Sequence, residues 1–98
     1  MGWVKGAKKE LNKNGICKVR PIGGSMRGRI ESGQLVTIKV VDEVEINDVV
    51  FIEWKNNYIL HLILEIKEEM ILIGNNLGKE NGWISRDAII GKVINVED

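Results

Sequence analysis

The sequence predicts a mainly β domain, a small curled antiparallel sheet or partly closed barrel with a short N-terminal helix. Two observations carry that prediction. From residue 16 onward, β-branched and apolar runs recur at short intervals. Short groups rich in Gly, Asn and Asp separate them, and strands joined by such turns form an antiparallel sheet that curls or closes on itself. With 98 residues the chain makes one small domain with a single core. Residues 1–15 form a basic N-terminal segment and residues 16–98 the β domain.

The elements follow in order. Val4, Ala7, Lys8 and Leu11 fall at helical spacing, and Asn14-Gly15 is a stop signal, so residues 3–14 are expected to be helical. Residues 16–22 alternate apolar and basic side chains and form the first strand. Cys17, within it, is expected to be a buried structural thiol. Residues 35–41 are β-branched and apolar and form the second strand. Residues 42–46 connect it to a turn at Asn47-Asp48, and 49–54 form the third strand. Lys55-Asn56-Asn57 is a tight hairpin turn, because asparagine tolerates positive φ. Residues 58–66 return as the fourth strand. Lys67-Glu68-Glu69 turns again, and 70–73 form a short strand. Residues 74–82 make the longest loop. Asn81-Gly82-Trp83 reads as a turn whose tryptophan anchors in the core, or as an aromatic wall beside a cleft. Trp54 is expected to pack in the core or at the sheet edge. Residues 88–96 close the chain as a strand, with Gly91 at a bulge or close approach.

Composition narrows the function classes. Cys17 and His61, the one cysteine and one histidine, offer no disulfide and no metal cluster, and no cofactor is expected. No stretch is long and apolar enough to span a bilayer, and the basic N-terminus lacks the apolar core of a signal peptide. A cytoplasmic location is expected. The net charge is zero, yet residues 1–30 carry eight basic residues against Glu10 alone. That imbalance suits an acidic partner or nucleic acid, or packing of residues 1–30 on the chain's own acidic remainder. Exposed strand edges admit a homodimer.

Two candidate site residues stand out. Ser25 lies in Pro21-Ile22-Gly23-Gly24-Ser25-Met26-Arg27-Gly28, a glycine-rich turn between strands, where Met26 can anchor the turn in the core. A nucleophile would be held there; so would an ordinary loop serine. His61 lies within residues 58–66. Alternation places Tyr58, Leu60, Leu62, Leu64 and Ile66 on one face and Ile59, His61, Ile63 and Glu65 on the other. The first face is core. His61 is then either a solvent-edge side chain without a task or a base beside a cleft.

The order of these pieces resembles the catalytic domain shared by signal peptidases and LexA-type self-cleaving repressors. Gly23-Gly24-Ser25-Met26 matches the family's nucleophile turn. Ser32-Gly33-Gln34 matches its next turn and Asn47-Asp48-Val49-Val50 a later one. Leu60-His61-Leu62 stands where the archaeal and endoplasmic-reticulum members carry a histidine base. Gly74-Asn75-Asn76 matches a Gly-Asp-Asn loop, and Ile89-Ile90-Gly91-Lys92-Val93 the closing strand. The chain departs from the pattern at Gly28, Gly23, Leu62 and Asn75, which replace a proline, a serine, an arginine and an aspartate. The resemblance spans about residues 16–96. It implies a soluble serine endopeptidase with Ser25 as nucleophile and His61 as general base. Backbone N–H groups of the turn at Gly23, Gly24 and Met26 would hold the oxyanion. Asn75, Asn76 or Asp87 would orient the imidazole. A peptide or protein substrate would add as an extended strand beside residues 36–40. The alternative is a catalytically inactive module of the same fold that binds a peptide, protein or acidic partner.

Overall fold

Helix α1 (Trp3–Asn14) forms as the spacing predicts. Ala7 and Leu11 are buried along it, and Gly15 ends it at φ 76°, its N–H donating to the Leu11 carbonyl at 2.9 Å. The computed structural model describes residues 3–21, 26, 28–76 and 78–98. Seven strands follow: β1 (Ile16–Val19), β2 (Leu35–Lys39), β3 (Val49–Trp54), β4 (Asn57–Lys67), β5 (Met70–Gly74), β6 (Glu80–Ser85) and β7 (Ile89–Glu97), with a 3-10 turn at Arg86–Ala88. They form one antiparallel sheet in the order β1-β2-β7-β3-β4-β5-β6. The sheet is not closed; β1 and β6 are its edges.

Turn chemistry fixes the hairpins. Lys55 and Asn56 both have positive φ, 49° and 67°, which is the two-residue turn whose twist matches the flanking strands. It sets the register in which Trp54 faces Asn57 and Val50 faces His61. Gly91 crosses close to β2: a Cβ there would lie 2.8 Å from Ile38 Cγ2 and 3.1 Å from the Lys39 carbonyl oxygen. The close approach expected at this glycine is present.

The two sheet faces carry separate apolar clusters. The first joins Ala7 and Leu11 of α1 to Cys17, Met26, Ile30, Val36, Ile38, Val49, Phe51, Leu60 and Leu62. The second joins Val50, Ile52, Ile63, Ile71, Ile73 and Ile84, with Val44, Ala88 and, at the start of β7, Ile89 packed against it. Cys17 is buried as expected, and desolvation, then the Glu10 carboxylate, push its thiol above the ordinary value.

The first strand is shorter than expected, ending at Val19 with Arg20 and Pro21 outside it, and the fold departs from the sequence reading at three further places. Alternation fails in β4, where the register with β5 shifts between Ile63 and Glu65. The extra residue of this bulge sends Ile66 to the second cluster, on the His61 face, and pairs Glu65 with Leu72. The loop expected over residues 74–82 is shorter, because β6 begins at Glu80. Gly82 permits this: it has φ 152°, and the Trp54 ring lies 3.0 Å from where a Cβ would be. Trp83 is not a core anchor. It is 42% exposed on the edge strand, with Lys67 Nζ 6.0 Å from its ring centre. Trp54 packs against the second cluster, as expected. No helix among the described residues is long and apolar enough to cross a membrane.

Candidate active site

His61 is the described member of the expected dyad. It sits mid-strand in β4, which is hydrogen-bonded on both sides, to β3 and to β5. Its neighbours Leu60 and Leu62 belong to the first cluster and Ile59 and Ile63 to the second, so the imidazole faces the second cluster. It is only 7% exposed, not a solvent-edge side chain. Its Nδ1 lies 2.5 Å from the Leu60 carbonyl oxygen. A carbonyl can only accept, so Nδ1 is the donor in this contact; in the neutral ring that tautomer places the lone pair on Nε2.

The nucleophile turn reaches the described structure through its flanks. Ser25, Gly23 and Gly24 lie outside the described residues. Met26 is buried at 4% exposure in the first cluster, as its anchoring role predicts. Its carbonyl accepts from the N–H groups of Arg29 and Ile30 at 2.9 and 2.8 Å, closing a tight turn. Gly28 within that turn has φ 99°, which proline cannot adopt, and donates its N–H to Glu31 Oε2 at 2.8 Å. A Cβ at Gly28 would lie 2.7 Å from Asn76 Nδ2. A proline therefore could not stand at this position in this conformation.

Arg29 fastens this turn to the rest of the sheet. Its Nε donates to Asn76 Oδ1 at 2.7 Å, and its guanidinium reaches the Asn47 carbonyl at 3.4 Å. Asn47 in turn donates its N–H to the Ile63 carbonyl at 2.8 Å, on the strand of His61. A chain of contacts thus links the residues after Ser25 to β4 two positions from the imidazole. Among the expected orienting residues, Asn76 holds Arg29, while Asn75 accepts from the Lys79 N–H at 3.0 Å and shapes the loop after β5. Asp87 is exposed in the 3-10 turn, where its N–H donates to Ser85 Oγ at 3.3 Å. The group on His61 Nδ1 is the Leu60 main chain rather than a carboxylate.

Sequence reasoning placed a turn at Asn47-Asp48, and the φ of 79° at Asn47 bears that out. It missed the contacts of Arg29 and the Leu60 carbonyl, and a main-chain acceptor leaves no mark in a sequence. The expected docking of a substrate beside residues 36–40 is corrected. Residues 36–39 pair with β1 on one side, and β7 pairs with β2 on the other. The Val40 N–H is itself given to the Gly15 carbonyl at 2.9 Å. Strand addition there would first have to displace β1 or β7. Among the described residues no group of His, Cys, Asp or Glu could hold a metal ion. No family model, no curated protein and no solved structure matches the chain.

Proposed function

We propose that the chain is a serine endopeptidase-like domain, with Ser25 as nucleophile and His61 as general base on a peptide substrate bound in extended form. The supporting observation is the state of His61, a buried imidazole whose Nδ1 is engaged by the Leu60 carbonyl at 2.5 Å. In the neutral ring this contact leaves Nε2 as the acceptor that the proposed general base would use for the hydroxyl proton. Arg29, which ties the segment after Ser25 to Asn76 and Asn47, would help to hold the turn in place for such a role.

A fluorophosphonate probe tests this directly. Adduct formation at Ser25 is expected, with none in Ser25→Ala and at least a hundredfold slower labelling in His61→Ala, the usual worth of a general base. Peptide-library cleavage should follow the same order. Equal labelling of the wild type and His61→Ala would remove the dyad.

One observation favours a second reading, a peptide-binding module without catalysis. Met26, next to Ser25, packs in the first cluster, whereas His61 faces the second. Peptide binding that survives Ser25→Ala, with no probe adduct in the wild type, would select this reading.

A further inference from the structure

We infer that the chain associates with copies of itself head to tail, the lysine face of α1 in one copy seating in an acidic groove of the next. The groove lies on the second face of the sheet. Its floor is apolar, made by Val44, Ile66 and Ile71. Asp42 and Glu43 line it from the connection before β3, and Glu68 and Glu69 from the turn between β4 and β5; all four are exposed. Arg86 joins the two rims, its guanidinium donating to the Asp42 carbonyl and its N–H to the Glu69 carbonyl. The Glu43, Glu68 and Glu69 carboxylates have no ion-pair partner among the described residues.

The matching surface is on the same chain. Lys5, Lys9 and Lys13 are exposed and spaced four apart, which puts them in one stripe of α1. The stripe spans about 12 Å at the helical rise. Like charges at this spacing repel one another, and none of the three has an ion-pair partner among the described residues. Within one molecule the two surfaces cannot meet. Ala7 and Leu11 bind α1 to the first face of the sheet, and Ile66 and Ile71 belong to the second. Between two molecules they can, with lysine stems lying on the apolar floor and ammonium groups against the rims. The contact joins two different surfaces, so it leaves a free helix at one end and a free groove at the other. Association therefore continues beyond a dimer unless rotation closes a ring.

Charge reversal tests this. Sedimentation of the wild type in about 10 mM salt, where screening acts over about 30 Å, should give a mean mass at least twice the monomer mass and rising with concentration. In about 1 M salt the mass should return to that of the monomer. The variant K5E/K9E/K13E and the variant E43K/E68K/E69K should each stay monomeric in low salt, because helix and groove then carry the same sign. Mixing the two should restore association, each variant's helix now fitting the other's groove. Circular dichroism of each variant establishes that it folds. A monomeric wild type at low salt overturns the inference, even if the groove binds a separate lysine peptide. So does association of a folded single variant. The outcome is independent of peptidase activity.

Discussion

The two faces of the sheet are built in different ways. The second cluster comes mainly from consecutive strands: Val50 and Ile52 on β3, Ile63 on β4, Ile71 and Ile73 on β5, Ile84 on β6. Short turns bring these together, so little chain must be closed for each contact. The first cluster draws on α1, β1, the turn at Met26, β2, β3 and β4, and it completes only when β7 has inserted between β2 and β3. One face is an accumulation of hairpins; the other is a long-range closure. Met26 lies on the closure face, whereas His61 faces the hairpin face.

The largest break comes from Phe51→Ala. Phe51 is fully buried in the first cluster, and its loss should cost about 3–5 kcal/mol, a large part of a small domain's stability. Urea unfolding monitored by tryptophan emission measures it. Leu11→Ala should cost about 2–5 kcal/mol by releasing α1. Its sharper test is amide hydrogen exchange: β4 and β5 should keep most of their protection while α1 and β1 lose theirs. Uniform loss would mean that the two faces open as one unit.

Gly91→Ala attacks the closure from β7. The added methyl meets Ile38 and the Lys39 carbonyl, and a cost of about 1–3 kcal/mol is expected from the same urea measurement. Cys17 gives a smaller, pH-dependent effect. Its raised thiol pKa keeps it protonated in the folded chain, while the unfolded chain ionises at the ordinary value of about 8.5. Its contribution to stability is complete below that pH and is lost as pH rises beyond it toward the folded value. The fall in urea midpoint between neutral and alkaline pH should be shallower in Cys17→Ala. The smallest effect belongs to Lys92→Ala. Its ion pair with Asp48, 3.2 Å long between side chains 29% and 17% exposed, should contribute about 0–1 kcal/mol.

The hairpin face was the legible one. Residues 49–54 and the turn at Lys55-Asn56 follow from alternation and from asparagine's tolerance of positive φ, both local properties. The bulge between Ile63 and Glu65 left no mark, because an unpaired residue within an apolar run looks like any other. The start of β6 was hidden for a related reason: Asn81-Gly82 reads as a turn until the Trp54 ring occupies the space a side chain would need. At the candidate site, alternation gave the side of the sheet to which His61 points. Its burial depends on how the rest of the chain packs on that side, which no property of residues 58–66 encodes. The fastening of the turn by Arg29 joins residues 47 positions apart, beyond the reach of any periodicity.

The position of β2 between β1 and β7 has a mechanical consequence. Ile16 pairs with Lys39 at one end of β2, and Glu97 pairs with Leu35 at the other. Tension applied between Ile16 and Glu97 therefore pulls β1 and β7 in opposite directions along their own axes. The ladder bonds on both sides of β2 are loaded together rather than one at a time. A chain held at those two points should yield in shear at high force, whereas the β3–β4 hairpin pulled at its open end, between Val49 and Leu62, should unzip at a much lower one.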